Sequence, residues 1–284
     1  MHAPGRARWG SAPNPRLADA RPRARRPLLP ILGAALAVAI VCALGMWRPW
    51  LVPSAPVAAE SVALPRTVPA ALELPQNARV LIFGDSWVYG SAATVPTRGF
   101  AYRLGEELGW QSTVDGVRGS GYLKAGLDGG SYGERVAALD PALDPDLIIL
   151  EGSINDRRQP ATGYRDAVTA VWNALEARYP DAAIVILGPA PQVLPVEKTT
   201  ARIDADLADL AAARGWWYIS PIAENWITED NYLDMIDTGP IGRDHPSDAG
   251  HAYLAQRVAN ALDGMGGATE VVADAPLDEE VIGP

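Results

Sequence analysis

The chain has 284 residues, 48% hydrophobic and 20% charged, which is enough for one sizeable domain with extensions. Residues 54–284 hold 33 acidic and 16 basic residues, a formal charge of −17, which argues against nucleic acid as a partner because an acidic surface repels phosphate. The single cysteine, Cys42, lies in an apolar run, which excludes an internal disulfide and a thiolate metal site in the rest of the chain.

The first 53 residues are basic and contain a long apolar run. Eight arginines and a single acid, Asp19, lie in this stretch. Residues 28–47 are uncharged, and about 20 such residues suffice for a helix to cross a hydrocarbon core of about 30 Å. The cluster RPRARR precedes the run, so the positive-inside rule predicts that residues 1–27 are cytoplasmic and that everything after the run lies outside. We therefore predict a single-pass plasma-membrane protein anchored by residues 28–47.

A cleaved signal peptide and a lipid anchor are the alternatives to an uncleaved helix. A signal peptide has an apolar region of about 7–15 residues with a small-residue cleavage site close behind, whereas the nearest such site here is at residues 57–59. Lipidation of Cys42 would require a small residue before it, and Val41 occupies that position. Residues 48–77 are rich in Pro, Ala and Val without periodicity, which is typical of an extended tether.

Residues 78–263 alternate short apolar runs with amphipathic segments, the pattern of a parallel α/β domain. The predicted strands, nearly continuous in apolar residues as buried parallel strands are, are residues 79–83, 113–117, 147–150, 183–187 and 216–219. The predicted helices are residues 99–108, 164–178, 199–214 and 247–262, the last capped by Ser247 or Asp248. These elements predict a three-layer α/β/α sandwich that binds ligands at the carboxyl ends of its strands. Residues 264–284 mix glycine with acids, which is typical of a disordered acidic tail.

Ser86 and His245 are the candidate nucleophile and general base. Ser86 lies in FGDSWVYG, directly after the first predicted strand, and its hydroxyl needs an adjacent base and N–H donors for the oxyanion. His245 lies in DHPSDAGH, just before the last predicted helix, and an imidazole with a pKa near about 6.5 suits that role. His2 falls on the cytoplasmic side, and His251 falls in the first turn of the helix, where packing or capping is expected. Taken alone, the GDS tripeptide is more typical of a helix cap than of a nucleophile.

Two further segments follow the second and third predicted strands. In GVRGSGY, the glycines would let a main-chain N–H approach a substrate oxygen, although the segment could equally be a turn. In EGSIND, the side chain of Asn155 could donate to an oxyanion, although Asn-Asp pairs are also common in turns and helix caps. Both candidates fall at the edge of the sheet where Ser86 is predicted.

In this order, the four segments resemble the SGNH hydrolase family of GDSL-type esterases and lipases, over about residues 79–262. The resemblance implies a flavodoxin-like fold and a serine esterase in which Ser86 attacks an acyl carbonyl and His245 takes its proton. It implies an oxyanion hole made by the N–H groups of Ser86 and Gly119, with Gly121 as the alternative, and by the Asn155 side chain. This chemistry requires no cofactor and no metal.

Two positions depart from the family pattern. The family usually places its orienting aspartate three residues before the catalytic histidine, where this chain has Gly242. Asp244 is the nearest candidate acid, Asp237 could approach if the loop folds back, and a dyad with a backbone carbonyl or water on His245 is the third possibility. In the third segment, Ser153 stands where the family has glycine, which predicts a slightly different loop path.

The expected activity is hydrolysis of an acetyl or other short-chain carboxylic ester, on a small molecule or a cell-envelope glycan outside the membrane. An O-acyltransferase that uses the same residues is one alternative. A catalytically silent, tethered glycan-binding module is another, which Gly242 favours and the intact Ser86, Asn155 and His245 oppose. Trp87 and Trp226 could belong either to a sugar-stacking surface or to the core. The oligomeric state stays open.

Overall fold

The computed structural model describes residues 68–266. The predicted cytoplasmic segment, 1–27, and the predicted anchor, 28–47, lie outside the described residues, as do most of the predicted tether and tail. Within residues 68–266, no helix is both long enough and apolar enough to cross a membrane.

Five parallel strands form the central sheet. They are β1 (Arg79–Gly84), β2 (Gln111–Gly116), β3 (Leu147–Glu151), β4 (Ala183–Leu187) and β5 (Trp217–Ile219). Their spatial order is β2-β1-β3-β4-β5, which confirms the predicted parallel α/β fold. The chain leaves β1 toward one edge and β3 toward the other, so a crevice opens at the carboxyl ends of these two strands.

Seven α-helices connect or flank the strands in the described part of the chain. They are α1 (Ser86–Tyr89), α2 (Phe100–Glu107), α3 (Tyr132–Ala138), α4 (Tyr164–Arg178), α5 (Lys198–Arg214), α6 (Tyr232–Met235) and α7 (Asp248–Asp263). Short 3₁₀ turns occupy Pro96–Arg98, Pro141–Leu143 and Ile154–Arg158. Two residues each of β6 (Ile236–Asp237) and β7 (His245–Pro246) form an antiparallel bridge.

Side chains along each strand point alternately to the two faces of the sheet, so a hydrophobic core forms on each face. On β1, Val80 and Ile82 point to one face, and Leu81 and Phe83 point to the other. The first face packs against residues of α1, α2 and α7, among them Trp87, Phe100, Leu104, Leu254 and Val258. The second face packs against residues of α3, α4 and α5, among them Tyr132, Tyr164, Trp172 and Leu207. Two covered faces explain why the central strands β1, β3 and β4 are almost entirely apolar.

The edge strand β2 differs from the prediction of a continuous buried strand. It runs from Gln111 to Gly116 with alternating exposed and half-buried residues, and it begins two residues earlier than predicted. An edge strand has a neighbour on only one side, so its polar residues Gln111 and Thr113 can remain in contact with water.

The domain includes residues on both sides of the predicted 78–263 boundaries. The backbone N–H of Leu72 donates to the carbonyl of Met265 at 2.9 Å, and the indole N–H of Trp217 donates to the carbonyl of Ala70 at 2.8 Å. Leu72 and Leu74 pack against the core on the α7 face. The last residues of the predicted tether are therefore bound to the domain.

Candidate active site

Ser86 is the first residue of α1, immediately beyond the carboxyl end of β1. Asp85 caps this helix, since its carboxylate accepts the Trp87 N–H at 2.9 Å. The turn from strand to helix is tight at Gly84, where a Cβ would lie 2.5 Å from the Glu151 carboxylate. Glycine is therefore required there, and it lets the chain turn so that the Ser86 hydroxyl reaches the sheet edge.

The structure brings Ser86 and His245 into hydrogen-bonding contact. The distance between Ser86 Oγ and His245 Nε2 is 2.9 Å, although 159 residues separate the two positions. His245 is placed by the bridge between β6 and β7, in which it pairs with Asp237, and by α7, which begins three residues later. This is the geometry that nucleophilic catalysis requires of a serine and its base.

In the part of the chain that the structure describes, backbone carbonyls and not carboxylates contact Nδ1 of the imidazole. His245 Nδ1 lies 2.8 Å from the carbonyl oxygen of Gly242 and 3.0 Å from that of Arg243. Within residues 68–266 His245 forms no ion pair, and neither Asp244 nor Asp237 forms a hydrogen bond with the imidazole. Of the three possibilities that the sequence left open, the structure shows a dyad held by backbone carbonyls.

The conformation of the loop explains why the nearest acid does not contact the ring. Asp244 has a φ of +62°, and its N–H donates to the carbonyl of Asp237 at 2.9 Å. This left-handed conformation reverses the chain just before His245, and the carbonyls of Gly242 and Arg243, rather than the Asp244 carboxylate, contact the imidazole.

Asp237 also explains the glycine in place of the family's aspartate. A Cβ on Gly242 would lie 2.1 Å from the Asp237 side-chain carboxyl carbon. The Asp237 carboxylate is itself fixed by the Gly239 N–H at 2.8 Å. Since Asp237 fills the space that an acid at position 242 would need, only the backbone carbonyl of Gly242 reaches the imidazole.

Of the three backbone N–H groups predicted as oxyanion donors, one is already hydrogen-bonded within residues 68–266 and two are not. The N–H of Gly121 donates to the carbonyl of Lys124 at 2.8 Å, which removes Gly121 as the alternative donor. Gly119 has a φ of +73° and lines the same cleft as Ser86. In the described part of the chain, the N–H groups of Ser86 and Gly119 form no backbone hydrogen bond, so both can serve a ligand.

Asn155 reaches the cleft, but its amide already has two acceptors. Its side-chain NH₂ donates to the Asp85 carboxylate at 2.8 Å and to the carbonyl of Ser120 at 3.0 Å. Ser153, at the family's glycine position, donates to the same Ser120 carbonyl at 2.9 Å and accepts the Asn155 N–H at 3.1 Å. Hydrogen bonds thus connect the third segment, EGSIND, to both FGDSWVYG and GVRGSGY.

Three buried carboxyl groups lie behind Ser86, and no motif in the sequence predicted this cluster. Burial raises the pKa of Asp85, Glu151 and Asp156, that of Asp156 to about 6. The Asp85 charge raises the Glu151 pKa further, whereas the Trp87 N–H lowers that of Asp85. Of the two carboxyls, Glu151 has the more strongly raised pKa, so it binds a proton more readily than Asp85 does.

Two of these carboxyls fix loops that line the cleft. Asp156 accepts the N–H groups of Tyr122 and Leu123 at 2.7 and 3.1 Å and so holds the loop that carries Gly119. Glu151 accepts the Asp85 N–H at 3.2 Å and so holds the turn that carries Ser86.

Arg135 on α3 is a buried cation that the sequence analysis missed. Its guanidinium donates to the carbonyl of Gly84, to Ser120 Oγ and to Asp115, and it stacks on the Phe83 ring at 4.0 Å. It thereby joins the ends of β1 and β2 beneath the site. The signal for α3 was present in the capping box of Ser131 and Glu134.

His251 is separate from the site, as expected. It is fully buried, its Nδ1 accepts the Phe100 N–H at 3.1 Å, and its Nε2 donates to the carbonyl of Ser91 at 3.0 Å. Burial lowers its pKa to about 4. Trp87 and Trp226 are buried in the core, so they form no sugar-stacking surface.

Ser86, Gly119, Asn155 and His245 line one open cleft of about 660 Å³. This volume suits a small molecule or a short stretch of a polymer. A nucleophile, its base and unpaired N–H donors together can transfer an acyl group from an ester to water.

Sequence comparison identifies the family directly. Residues 82–253 match the model of the GDSL-like lipase/acylhydrolase family. The protein named GDSL lipase Rv0518 from Mycobacterium tuberculosis is 30% identical over 191 residues, which cover 63% of this chain and 79% of that protein.

Solved structures show the same fold at low sequence identity. A two-domain esterase active on acetylated mannans aligns with a TM-score of 0.53 and 19% identity, over 70% of this chain and 52% of its own. A carbohydrate acetylesterase family member from Sinorhizobium meliloti aligns with a TM-score of 0.51 and 15% identity, over 66% of this chain and 99% of its own. The four motifs, the fold and the family match agree, and the chain belongs to the GDSL-like lipase/acylhydrolase family of ester hydrolases.

Proposed function

We propose that this hydrolase cleaves short-chain carboxylic esters, acetyl esters among them, through an acyl-enzyme on Ser86. The observation that carries the proposal is the contact of 2.9 Å between Ser86 Oγ and His245 Nε2 within an open cleft. A silent binding module would have no need of this pairing.

The two ring nitrogens of His245 would have different tasks. Carbonyl oxygens accept only, so the contacts with Gly242 and Arg243 place the proton on Nδ1 and leave Nε2 free to accept. Nε2 takes the Ser86 proton as Oγ attacks the acyl carbon and returns it to the leaving alcohol. Water, activated by the same nitrogen, then releases the acid from the acyl-enzyme.

The oxyanion would be held by the N–H groups of Ser86 and Gly119, which are free of backbone acceptors in the described residues. Asn155 would be the third donor, by turning one N–H from the Ser120 carbonyl toward the oxyanion. Its bond to the Asp85 carboxyl oxygen keeps the amide nitrogen, rather than the amide oxygen, on this side.

A short acyl group fits the space around the site. The open cleft of about 660 Å³ that Ser86 and His245 line has room for an acetyl or other short acyl group beside the nucleophile. Of the two solved structures compared, one is active on acetylated mannans and the other belongs to a carbohydrate acetylesterase family. These names support an acetylated glycan as one natural substrate.

The location is proposed from the sequence of the N-terminal part. An uncharged run at residues 28–47 behind an arginine cluster supports a membrane anchor with the domain on the extracytoplasmic side. Protease treatment of intact cells that express the full chain tests this: the domain should be cleaved from the outside, and its full protection would contradict the orientation.

Activity is tested with the full-length protein and p-nitrophenyl acetate. We expect steady release of nitrophenolate, loss of at least about 10³-fold with Ser86→Ala, and an unchanged circular dichroism spectrum. Activity retained by Ser86→Ala would refute the nucleophile. Acyl transfer to an added sugar faster than hydrolysis would favour the acyltransferase, and no reaction with any ester would favour the binding module.

A further inference from the structure

The charges of the domain are not evenly distributed around the cleft. Residues 68–266 include 15 Lys and Arg residues and 27 Asp and Glu residues. Five of the 15 cations line the cleft, against one of the 27 acids, Asp244. An acidic domain thus has a cationic active-site cleft, and this contrast requires a physical explanation.

Three of these cations have no acidic partner. Arg118 pairs with Asp128, and Arg157 pairs with Glu197 at 2.7 Å. By contrast, the side chains of three others form no ion pair or hydrogen bond within the described range: Lys124, Arg158 and Arg243. Their charges are therefore available to a ligand.

The three available cations reach the cleft from different segments. Lys124 lies in the loop after β2, Arg158 ends the 3₁₀ turn after β3, and Arg243 lies in the loop before β7. Lys124 is the closest to the proposed oxyanion donor, since a Cβ built on Gly119 would lie 3.5 Å from its Nζ. A charge concentrated by three separate segments around one volume is typical of a binding site for an anion.

We propose that the natural ester substrate carries an anionic group, a carboxylate or a phosphate, which is bound by Lys124, Arg158 and Arg243 while the ester carbonyl lies at Ser86. This rests on the proposed esterase function. The remainder of the domain is acidic and would repel a long polyanion, so the charge would be local to the ester.

The test compares anionic esters with neutral esters of matched shape. On the acyl side, the pair is mono-4-nitrophenyl adipate and its methyl ester; on the alcohol side, it is 4-acetoxybenzoate and its methyl ester. We expect kcat/KM, corrected for spontaneous hydrolysis, to favour the anion in at least one pair by about fivefold or more at low ionic strength. Screening should reduce that preference at 0.5 M NaCl.

Substitutions locate the effect. Lys124→Gln, Arg158→Gln and Arg243→Gln should each reduce the anion-to-neutral ratio by about twofold to fivefold, the usual range for one solvated ion pair. Lys198→Gln is the matched control, because Lys198 is exposed, loses the same charge and does not line the cleft. It should leave the ratio unchanged. Competition by benzoate and by phenyl phosphate then shows which anionic group binds better.

The outcomes separate the two proposals. Equal rates for anionic and neutral esters in both pairs, or a preference that the three substitutions leave intact, would overturn the anionic substrate and keep the esterase. No hydrolysis of any of the four esters would overturn the esterase function on which it rests.

Discussion

Replacing Asp244 with asparagine tests whether an acid takes part in catalysis beside His245. Asparagine tolerates the φ of +62° at this position, so the substitution removes the charge and keeps the loop. If Asp244 oriented the imidazole, its loss would reduce kcat by about 10⁴-fold, which corresponds to about 5.4 kcal/mol. The structure instead places the Gly242 and Arg243 carbonyls, and not the Asp244 carboxylate, within hydrogen-bonding distance of Nδ1, so only a partly solvated charge is lost. We expect a change in kcat/KM below about fivefold.

The assay is steady-state hydrolysis of p-nitrophenyl acetate by the wild type, Asp244→Asn, Asp237→Asn and His245→Ala. His245→Ala should lose at least about 10³-fold and thereby fixes the scale for a true catalytic loss. A loss of about 10³-fold or more in Asp244→Asn, with the thermal midpoint unchanged, would refute the dyad. The same loss in Asp237→Asn would identify that residue as the acid, since Asp237 lies beside Gly242.

Three further predictions follow from the buried groups around the site. His251, with a folded pKa of about 4 against 6.5 unfolded, contributes stability above pH 6.5 that is lost as the pH falls toward 4. The free energy of unfolding, measured by denaturant titration, should therefore fall by about 2 kcal/mol less between pH 7.5 and 5 in His251→Gln than in the wild type. An equal fall in both proteins would contradict this. Glu151→Gln should preserve activity and leave the free energy of unfolding nearly unchanged, because the strongly raised pKa of Glu151 favours the protonated form that an amide resembles. Asp85→Asn should lower the free energy of unfolding by about 1–3 kcal/mol, because it sets an amide donor against that of Asn155. A larger loss of unfolding free energy in Glu151→Gln than in Asp85→Asn would show that the charge lies on Glu151. Gly242→Asp, which restores the family's residue, should reduce both kcat and the thermal midpoint because its Cβ meets Asp237, and higher activity would refute that clash.

The regular elements of the domain could be predicted where the sequence pattern is long or strongly apolar. Strand β4 and helix α4 begin and end where the sequence indicates. A short apolar run predicts a buried strand, and helical periodicity sustained over fifteen residues predicts a helix. Helices α1 and α6, four residues each, and the two-residue strands β6 and β7 have no such period. They are stabilised by tertiary contacts that sequence periodicity does not record.

The site was predictable in its residue types but not in its backbone. Ser86 and His245 could be paired because each follows or precedes a predicted element at the same edge of the sheet. The missing acid could not be resolved, because the outcome depends on the left-handed φ of Asp244 and on the packing of Asp237 against Gly242. The sequence placed Asn155 at the cleft, but it did not predict the hydrogen bonds from its amide to Asp85 and to the Ser120 carbonyl.

The most direct test of the central claim is covalent labelling of the full-length protein with a fluorophosphonate, followed by peptide mass spectrometry. We predict a single adduct on the peptide that contains Ser86, with labelling slowed by at least about 10²-fold in His245→Ala because the hydroxyl then lacks its base. An adduct on another serine, or labelling at an equal rate without the imidazole, would contradict the account.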